Sequence, residues 1–195
     1  MTWLALVRHG ATEWNENGLV QGHSDVPLSE RGRADVARWR LPPALAGFAL
    51  VSSPLVRAVE TARLIAGEPE IEPRLIEMSW GAWEGRTLPD LRAELGDLMA
   101  AWEAKGLTFR APGGESPSDV QHRLEPWLAE RARRRRATLA ICHKGVIRAL
   151  YALAVGWDMT DKPPDKLREP SAQLFRIAAD GRPAVARLNI GLVAQ

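Results

Sequence analysis

The residues best suited to chemistry begin near the amino end. The run Leu4-Ala5-Leu6-Val7 stops abruptly at Arg8-His9-Gly10, a cation, an imidazole and a glycine in succession. Such an apolar run reads as a buried strand, and ligands of open α/β sheets bind just beyond the carboxyl ends of strands. A guanidinium beside a potential nucleophile suits chemistry on an anion. Taken alone, the tripeptide is equally an accidental charged strand end, so three later stretches have to decide. Arg57 falls in the first turn expected for a helix leaving a second strand. Glu77 is a carboxylate ahead of the glycine-punctuated loop Ser79-Trp80-Gly81-Ala82-Trp83-Glu84-Gly85. Cys142-His143-Lys144-Gly145 places a second imidazole at the end of a further strand, where a helix begins. The first amides of that helix are expected to face a bound anion. Brought together, Arg8, Arg57, His9, His143 and that helix end make a cage for a phosphoryl dianion.

The elements that must position these residues follow from local signals. Polar turn formers fill Ala11 to Leu28, which reads as an ordered functional loop. Ser29 caps an expected helix to about Arg40, and Phe48 to Ser52 reads as a strand. Ser53-Pro54 looks like a cap with proline at the first helical position, opening a helix to about Ala66. Glu70 to Glu77 reads as extended. One helix is expected from Thr87 to Lys105, with Leu88, Leu91, Leu95, Leu98 and Trp102 on its apolar face. Ser116-Pro117-Ser118-Asp119 opens another helix, which ends in the arginine-rich run Arg131 to Arg136. Thr138 to Cys142 is a strand, Gly145 to Val155 a helix, and Gln173 to Ile177 with Ala184 to Leu188 a hairpin around Asp180-Gly181. Strands alternating with helices predict a three-layer α/β/α sandwich with a largely parallel central sheet, a single domain over residues 1–195.

Composition narrows the class further. The chain has 195 residues, 46% of them hydrophobic and 26% charged, as in an ordinary globular protein. Its net charge of +2 gives no strong field to draw nucleic acid, and no window approaches the ~18 apolar residues of a membrane span. Cys142 is the only cysteine, which fits a reducing compartment, and Arg8 comes too early for a secretory leader, so a cytoplasmic location is expected. No HExxH pattern or carboxylate cluster suggests a metal site, and no cofactor is implied.

Taken together, the motifs resemble the histidine phosphatase superfamily, the phosphoglycerate mutase-like proteins. The resemblance rests on Arg8 to Asn15, Gln21-Gly22, Asp25 to Gly32, Ser53 to Ala62, Glu77 ahead of Gly81, Gly113 to Ser116, and His143. It implies the phosphoglycerate mutase-like fold and hydrolysis of a small phosphorylated metabolite, releasing inorganic phosphate without a metal. His9 is then the nucleophile, Arg8, Arg57 and His143 hold the phosphoryl oxygens, and Glu77 donates the proton. Thr12, Asn15, Gln21 and Gly22 then line the phosphate and substrate mouth. Lys144 departs from the glycine common there in the family; it either reaches the mouth to contact a second anionic group or points into solvent.

Three rival readings remain. Cys142, Gly145 and Arg148 have the C-x-x-G-x-x-R spacing of cysteine-dependent phosphatases, but Ile141 and Ala149 replace its usual flanking residues, and a buried filler suits Cys142 better. A mutase that returns the phosphoryl group to an organic acceptor is disfavoured, because mutases resembling this family carry a longer insertion after the acid and a longer tail. The run Arg131 to Arg136 could make this a non-catalytic anion-binding protein, although such runs are commonly solvated helix ends. Trp80, Trp83 and Trp102 are expected to shape an apolar pocket for the leaving group. His122 is expected at the surface, and His23 lies in the phosphate-side loop. Oligomeric state has no signature in the sequence.

Overall fold

The computed structural model describes residues 1–192. Its centre is a six-stranded sheet formed by β1 (Thr2–Arg8), β2 (Ala49–Ser52), β3 (Glu70–Ile71), β4 (Thr138–Cys142), β5 (Ser171–Ile177) and β6 (Pro183–Gly191). The strand order is β3-β2-β4-β1-β5-β6. β3, β2, β4 and β1 pair in parallel, and β5 runs antiparallel between β1 and β6. The helices are α1 (Glu13–Glu16), α2 (Glu30–Val36), α3 (Val56–Ile65), α4 (Leu88–Leu95), α5 (Asp97–Glu103), α6 (Pro117–Arg134) and α7 (Lys144–Val155).

Strand alternation sorts the core into two layers. Leu4 and Leu6 of β1, with Ala140 and Cys142 of β4, face α6 and α7, where Val120, Leu124, Trp127, Val146 and Leu150 complete one cluster. Ala5 and Val7, with Leu139 and Ile141, face Ala58 and Ala62 of α3 on the other side. All four residues of the opening run, Leu4 to Val7, are fully buried. That explains why they read as an unbroken apolar run rather than an alternating one.

β4 lies between β1 and β2, and this determines where the site is. The chain after β1 leaves toward the α3 face, while the chain after β4 enters α7 on the opposite face. A crevice opens where neighbouring parallel strands diverge in this way. The backbone locks the exit points together: His9 N donates to the Cys142 carbonyl at 3.0 Å, and Ser53 N donates to the Ile141 carbonyl at 2.9 Å.

Several local readings are corrected. The helix capped by Ser29 ends at Val36, because Trp39 turns into the core and Pro42-Pro43 cannot extend a helix. α3 begins at Val56 rather than after Ser53, and Asp25 Oδ1 accepts from the Val56 amide at 2.7 Å. Only Glu70–Ile71 of the extended segment is a strand, followed by a 3-10 turn at Pro73–Leu75. The helix expected over Thr87 to Lys105 is split by Gly96, whose φ of 50° and ψ of −127° suit a residue without Cβ. The break changes the helical phase, leaving Leu98 61% exposed, while Leu91 and Met99 are buried. Arg131 is also not a solvated end: it is buried, with its guanidinium 5.9 Å from the Trp127 ring centroid.

Candidate active site

His9 follows β1 directly and is almost fully buried. Its Nδ1 lies 2.6 Å from the Gly10 carbonyl oxygen, which can only accept, so the proton sits on Nδ1 and Nε2 presents a lone pair. Burial, then the Arg8 and Arg57 charges, holds its pKa well below the ordinary histidine value, which keeps the ring neutral. Gly10 N donates to Thr61 Oγ1 at 3.0 Å, and Thr61 Oγ1 donates to the Arg57 carbonyl at 2.7 Å. The turn after β1 is thereby tied to α3.

Arg57 is fully buried. Its guanidinium donates to the carbonyls of Ser24 and Gly22, each at 2.8 Å, which holds the phosphate-side loop. Arg8 reaches from the end of β1 and pairs with Glu169. The buried Nε atoms of Arg8 and Arg57 have no partner among the described residues. Two permanent cations thus flank a neutral imidazole.

Glu77 follows the turn at Pro73–Leu75 and reaches the start of α7. Its Oε1 accepts from the Met78 amide at 2.8 Å and its Oε2 from the Gly145 amide at 3.2 Å. The α7 N-terminus expected to face an anion therefore offers this amide to a carboxylate of the protein itself. A Cβ at position 145 would lie 2.5 Å from Glu77 Oε1, so only glycine permits this approach. Burial raises the Glu77 pKa, outweighing the two amides and the Arg57 and Arg8 charges. A carboxyl of this kind stays protonated at higher pH than an exposed one.

His143 is fully buried, its ring centroid 5.0 Å from that of His9. Its Nε2 is 2.7 Å from Ser53 Oγ, while its Nδ1 has no partner among the described residues. Burial, then His9 and the nearby arginines, lowers its pKa well below the usual value. Ser53, read from sequence as a helix cap, thus positions the second imidazole.

A cleft of about 690 Å³ collects Arg8, His9, Asn15, Gln21, Gly22, Arg57, Glu77 and Lys144. His143 and Thr12 do not line it. Thr12 is fully buried at the N-terminus of α1, where its hydroxyl accepts from the Asn15 amide at 3.1 Å and from Gln21 Nε2. It shapes the loop rather than the mouth. Across the cleft, Trp80 and Phe109 line it and pack at 5.7 Å; Trp83 and Trp102, expected to shape the same pocket, stack on each other at 5.5 Å and do not line it. His122 is exposed, and His23 Nε2 lies 2.8 Å from the Glu77 carbonyl.

Two carboxylates were missed from sequence. Glu84 accepts from the amides of His23, Ser24 and Trp80 at 2.9, 2.8 and 3.1 Å, joining the phosphate-side loop to the loop after Glu77. Glu169 holds Arg8. Neither carries a local signal, since each partner is at least 60 residues away except Trp80. The cysteine reading fails on geometry: Cys142 is fully buried against Leu4, Leu6 and Val146, and burial pushes its thiol far up. Among the described residues, no group of three or more His, Cys, Asp or Glu is arranged to hold a metal ion. No described helix is long and apolar enough to cross a membrane.

The profile of the histidine phosphatase superfamily (branch 1) matches residues 4–191. The chain belongs to this superfamily. Its relatives include phosphoserine phosphatase 1 of Hydrogenobacter thermophilus, 30% identical, with 82% of this chain and 79% of that one covered. The 2,3-bisphosphoglycerate-dependent phosphoglycerate mutase of Methylobacterium radiotolerans is 32% identical over 91% of this chain and 90% of its own. Among solved structures, the alpha-ribazole phosphatase of Shigella flexneri superposes with a TM-score of 0.80 at 27% identity, covering 100% of this chain and 99% of that one. The superfamily relatives therefore include both hydrolases and a mutase, on the α/β architecture expected from the sequence.

Proposed function

We propose that the protein hydrolyses the phosphomonoester of a small metabolite through a phosphohistidine at His9. The observation that carries this is the His9 Nδ1 contact with the Gly10 carbonyl, which leaves Nε2 unprotonated between Arg8 and Arg57. Nε2 attacks phosphorus, the P–O bond to the leaving group breaks, and Glu77 gives that oxygen its proton. Arg8 and Arg57 offset the charge on the non-bridging oxygens, and His143, braced by Ser53, backs the His9 ring. Water then attacks the phosphohistidine with Glu77, now ionised, taking its proton. The N–P bond breaks, inorganic phosphate leaves, and both groups return to their starting states. The arginines supply the positive charge, so the reaction is assigned no metal or cofactor.

The Methylobacterium relative favours a second reading, transfer to an organic acceptor. Water is preferred because the stretch from Trp80 to Pro112, where mutases resembling this family carry a longer insertion, holds only short helices and turns. The test is to mix the protein with p-nitrophenyl phosphate and quench in base. Wild type is expected to retain acid-labile phosphate, and His9→Ala to retain none and to lose turnover. Labelling that survives His9→Ala defeats the assignment. Release of free phosphate at the rate of p-nitrophenol, with added alcohols present, separates hydrolysis from transfer.

A further inference from the structure

Lys144 and Arg148 are four residues apart on α7, and residues so spaced share one helix face. Both line the mouth of the cleft that contains His9, and both also line an adjoining cavity of about 230 Å³. Neither side chain makes a hydrogen bond or ion pair with any described residue. Other partly or fully buried arginines are partnered: Arg57 by two carbonyls, Arg74 by Glu72 and Glu130, and Arg123 by Glu115. Arg148 is half-buried and stacks on the face of Trp157, with the guanidinium carbon 5.1 Å from the ring centroid. Stacking uses the flat face of a guanidinium and leaves its in-plane N–H donors available for a planar or tetrahedral anion.

The carboxylates of the adjoining cavity already have partners. Asp165 accepts from the Tyr151 hydroxyl at 2.9 Å, and Glu169 is held by Arg8. Leaving a half-buried guanidinium without a counter-charge is costly, and burial alone lowers its pKa here, with no carboxylate acting against it. An anion supplied from outside the chain removes that cost.

We propose that Lys144 and Arg148 form a second anion subsite. The substrate is then a phosphomonoester whose organic part carries a carboxylate or a further phosphate. The proposal rests on the phosphatase reading of the cleft and adds a substrate class to it. It assigns Arg148, which motif reasoning placed only in a rejected cysteine pattern, to substrate selection.

The test compares three esters of one chain length: propyl phosphate, 3-(phosphonooxy)propanoate and propane-1,3-diyl bisphosphate. Wild type is expected to favour at least one charged ester over propyl phosphate by about tenfold or more in kcat/KM, and the ester favoured names the group recognised. Arg148→Gln is expected to lower the charged-to-neutral ratio by about 10–100-fold, as for loss of a hydrogen bond to a charged group. Lys144→Gln lowers the same ratio, and Arg148→Lys restores part of it. A wild-type ratio near one, or a ratio unchanged in both glutamine variants whatever their absolute rates, overturns the subsite. If wild type turns over none of the esters, the phosphatase reading fails by itself, and calorimetry with propylphosphonate, 3-phosphonopropanoate and propane-1,3-diylbisphosphonate still decides. Tighter binding of either doubly anionic compound, lost in Arg148→Gln, upholds the subsite; equal affinities of all three defeat it.

Discussion

The two walls of the cleft are held by different forces. On the sheet side His9, Arg57 and Glu77 are each fixed by main-chain atoms, through the Gly10 carbonyl, the Gly22 and Ser24 carbonyls, and the Met78 and Gly145 amides. Across the cleft, residues 80–111 form short helices and turns joined by rings, with Trp83 packed against Trp80, Trp102 and Phe109. Main-chain hydrogen bonds are directional and hold an atom to a fraction of an ångström, whereas stacked rings tolerate sliding. The sheet side is suited to chemistry common to all esters, and the aromatic side to accommodating their apolar parts. Catalytic groups need the first kind of support and selective surfaces can use the second.

The largest effect that sharpens this contrast is expected at Glu77. Glu77→Gln is expected to lose about 10²–10⁴-fold on alkyl phosphates, where the leaving alkoxide needs a proton. Phosphorylation by p-nitrophenyl phosphate should lose far less, and a fast burst of p-nitrophenol before a slow phase would show that Glu77 also activates water. Because its pKa is raised, wild-type activity on alkyl esters falls as pH climbs through that value, and Glu77→Gln removes this limb. Equal losses on both esters, with no burst and a lowered melting temperature, make Glu77 structural.

Arg57→Lys comes next. It keeps a charge but loses the planar fork that spans both carbonyls while Nε stays free for a phosphoryl oxygen, so about 10²–10³-fold in kcat is expected to go on every ester alike. A loss confined to bulky esters would instead place Arg57 with the selective wall.

On the aromatic side, Trp83→Ala removes a buried ring, and such changes cost about 3–5 kcal/mol of packing. Phosphorylation by p-nitrophenyl phosphate is expected to stay within about tenfold of wild type by the opposing-wall argument, while KM rises for esters with apolar leaving groups. A collapse of kcat on all esters erases the distinction between the walls.

Stability gives a further check by pH. His9 and His143 have pKa values held below 6.5 in the folded state. Their unfolded forms therefore bind protons that the folded protein refuses, so stability is fully present above pH 6.5 and falls as pH drops below it. Each contributes up to about 1.4 kcal/mol per pH unit. Glu77 acts with the opposite sign, its contribution being present below 4.5 and lost as pH rises through its raised value. In Glu77→Gln, which removes the opposing contribution, urea midpoints between pH 5 and 7 that do not fall toward pH 5 would contradict neutral buried imidazoles.

The smallest effect is expected at Cys142. Cys142→Ser should leave turnover within a few-fold, because the thiol faces Leu4 and Leu6 and not the cleft. A dead Cys142→Ser beside an active His9→Ala would reverse the assignment of nucleophile.

Read as a sequence, the chain already determined its α/β class, its strands and the positions of Arg8, His9, Arg57, Glu77 and His143. Each sits at the end of an apolar run or beside turn and cap residues, and those signals act over a few neighbours. What only the tertiary structure decided lies between distant segments. Ser53 looks like a cap locally, but β4 inserts beside β2 and brings His143 within hydrogen-bond reach of it. The α7 amide expected to hold phosphate is taken by Glu77, 68 residues earlier in the chain. Thr12 turns inward because Asn15 and Gln21 compete for its hydroxyl. Gly96 breaks a helix whose apolar spacing continues across it, since a single backbone conformation outweighs periodicity when each half packs separately. Arg148 shares this dependence: its spacing offered a cysteine motif, whereas the fold stacks it on Trp157 without a partner carboxylate among the described residues. A hydrogen-bond partner is chosen by proximity in space, and sequence patterns report proximity only along the chain.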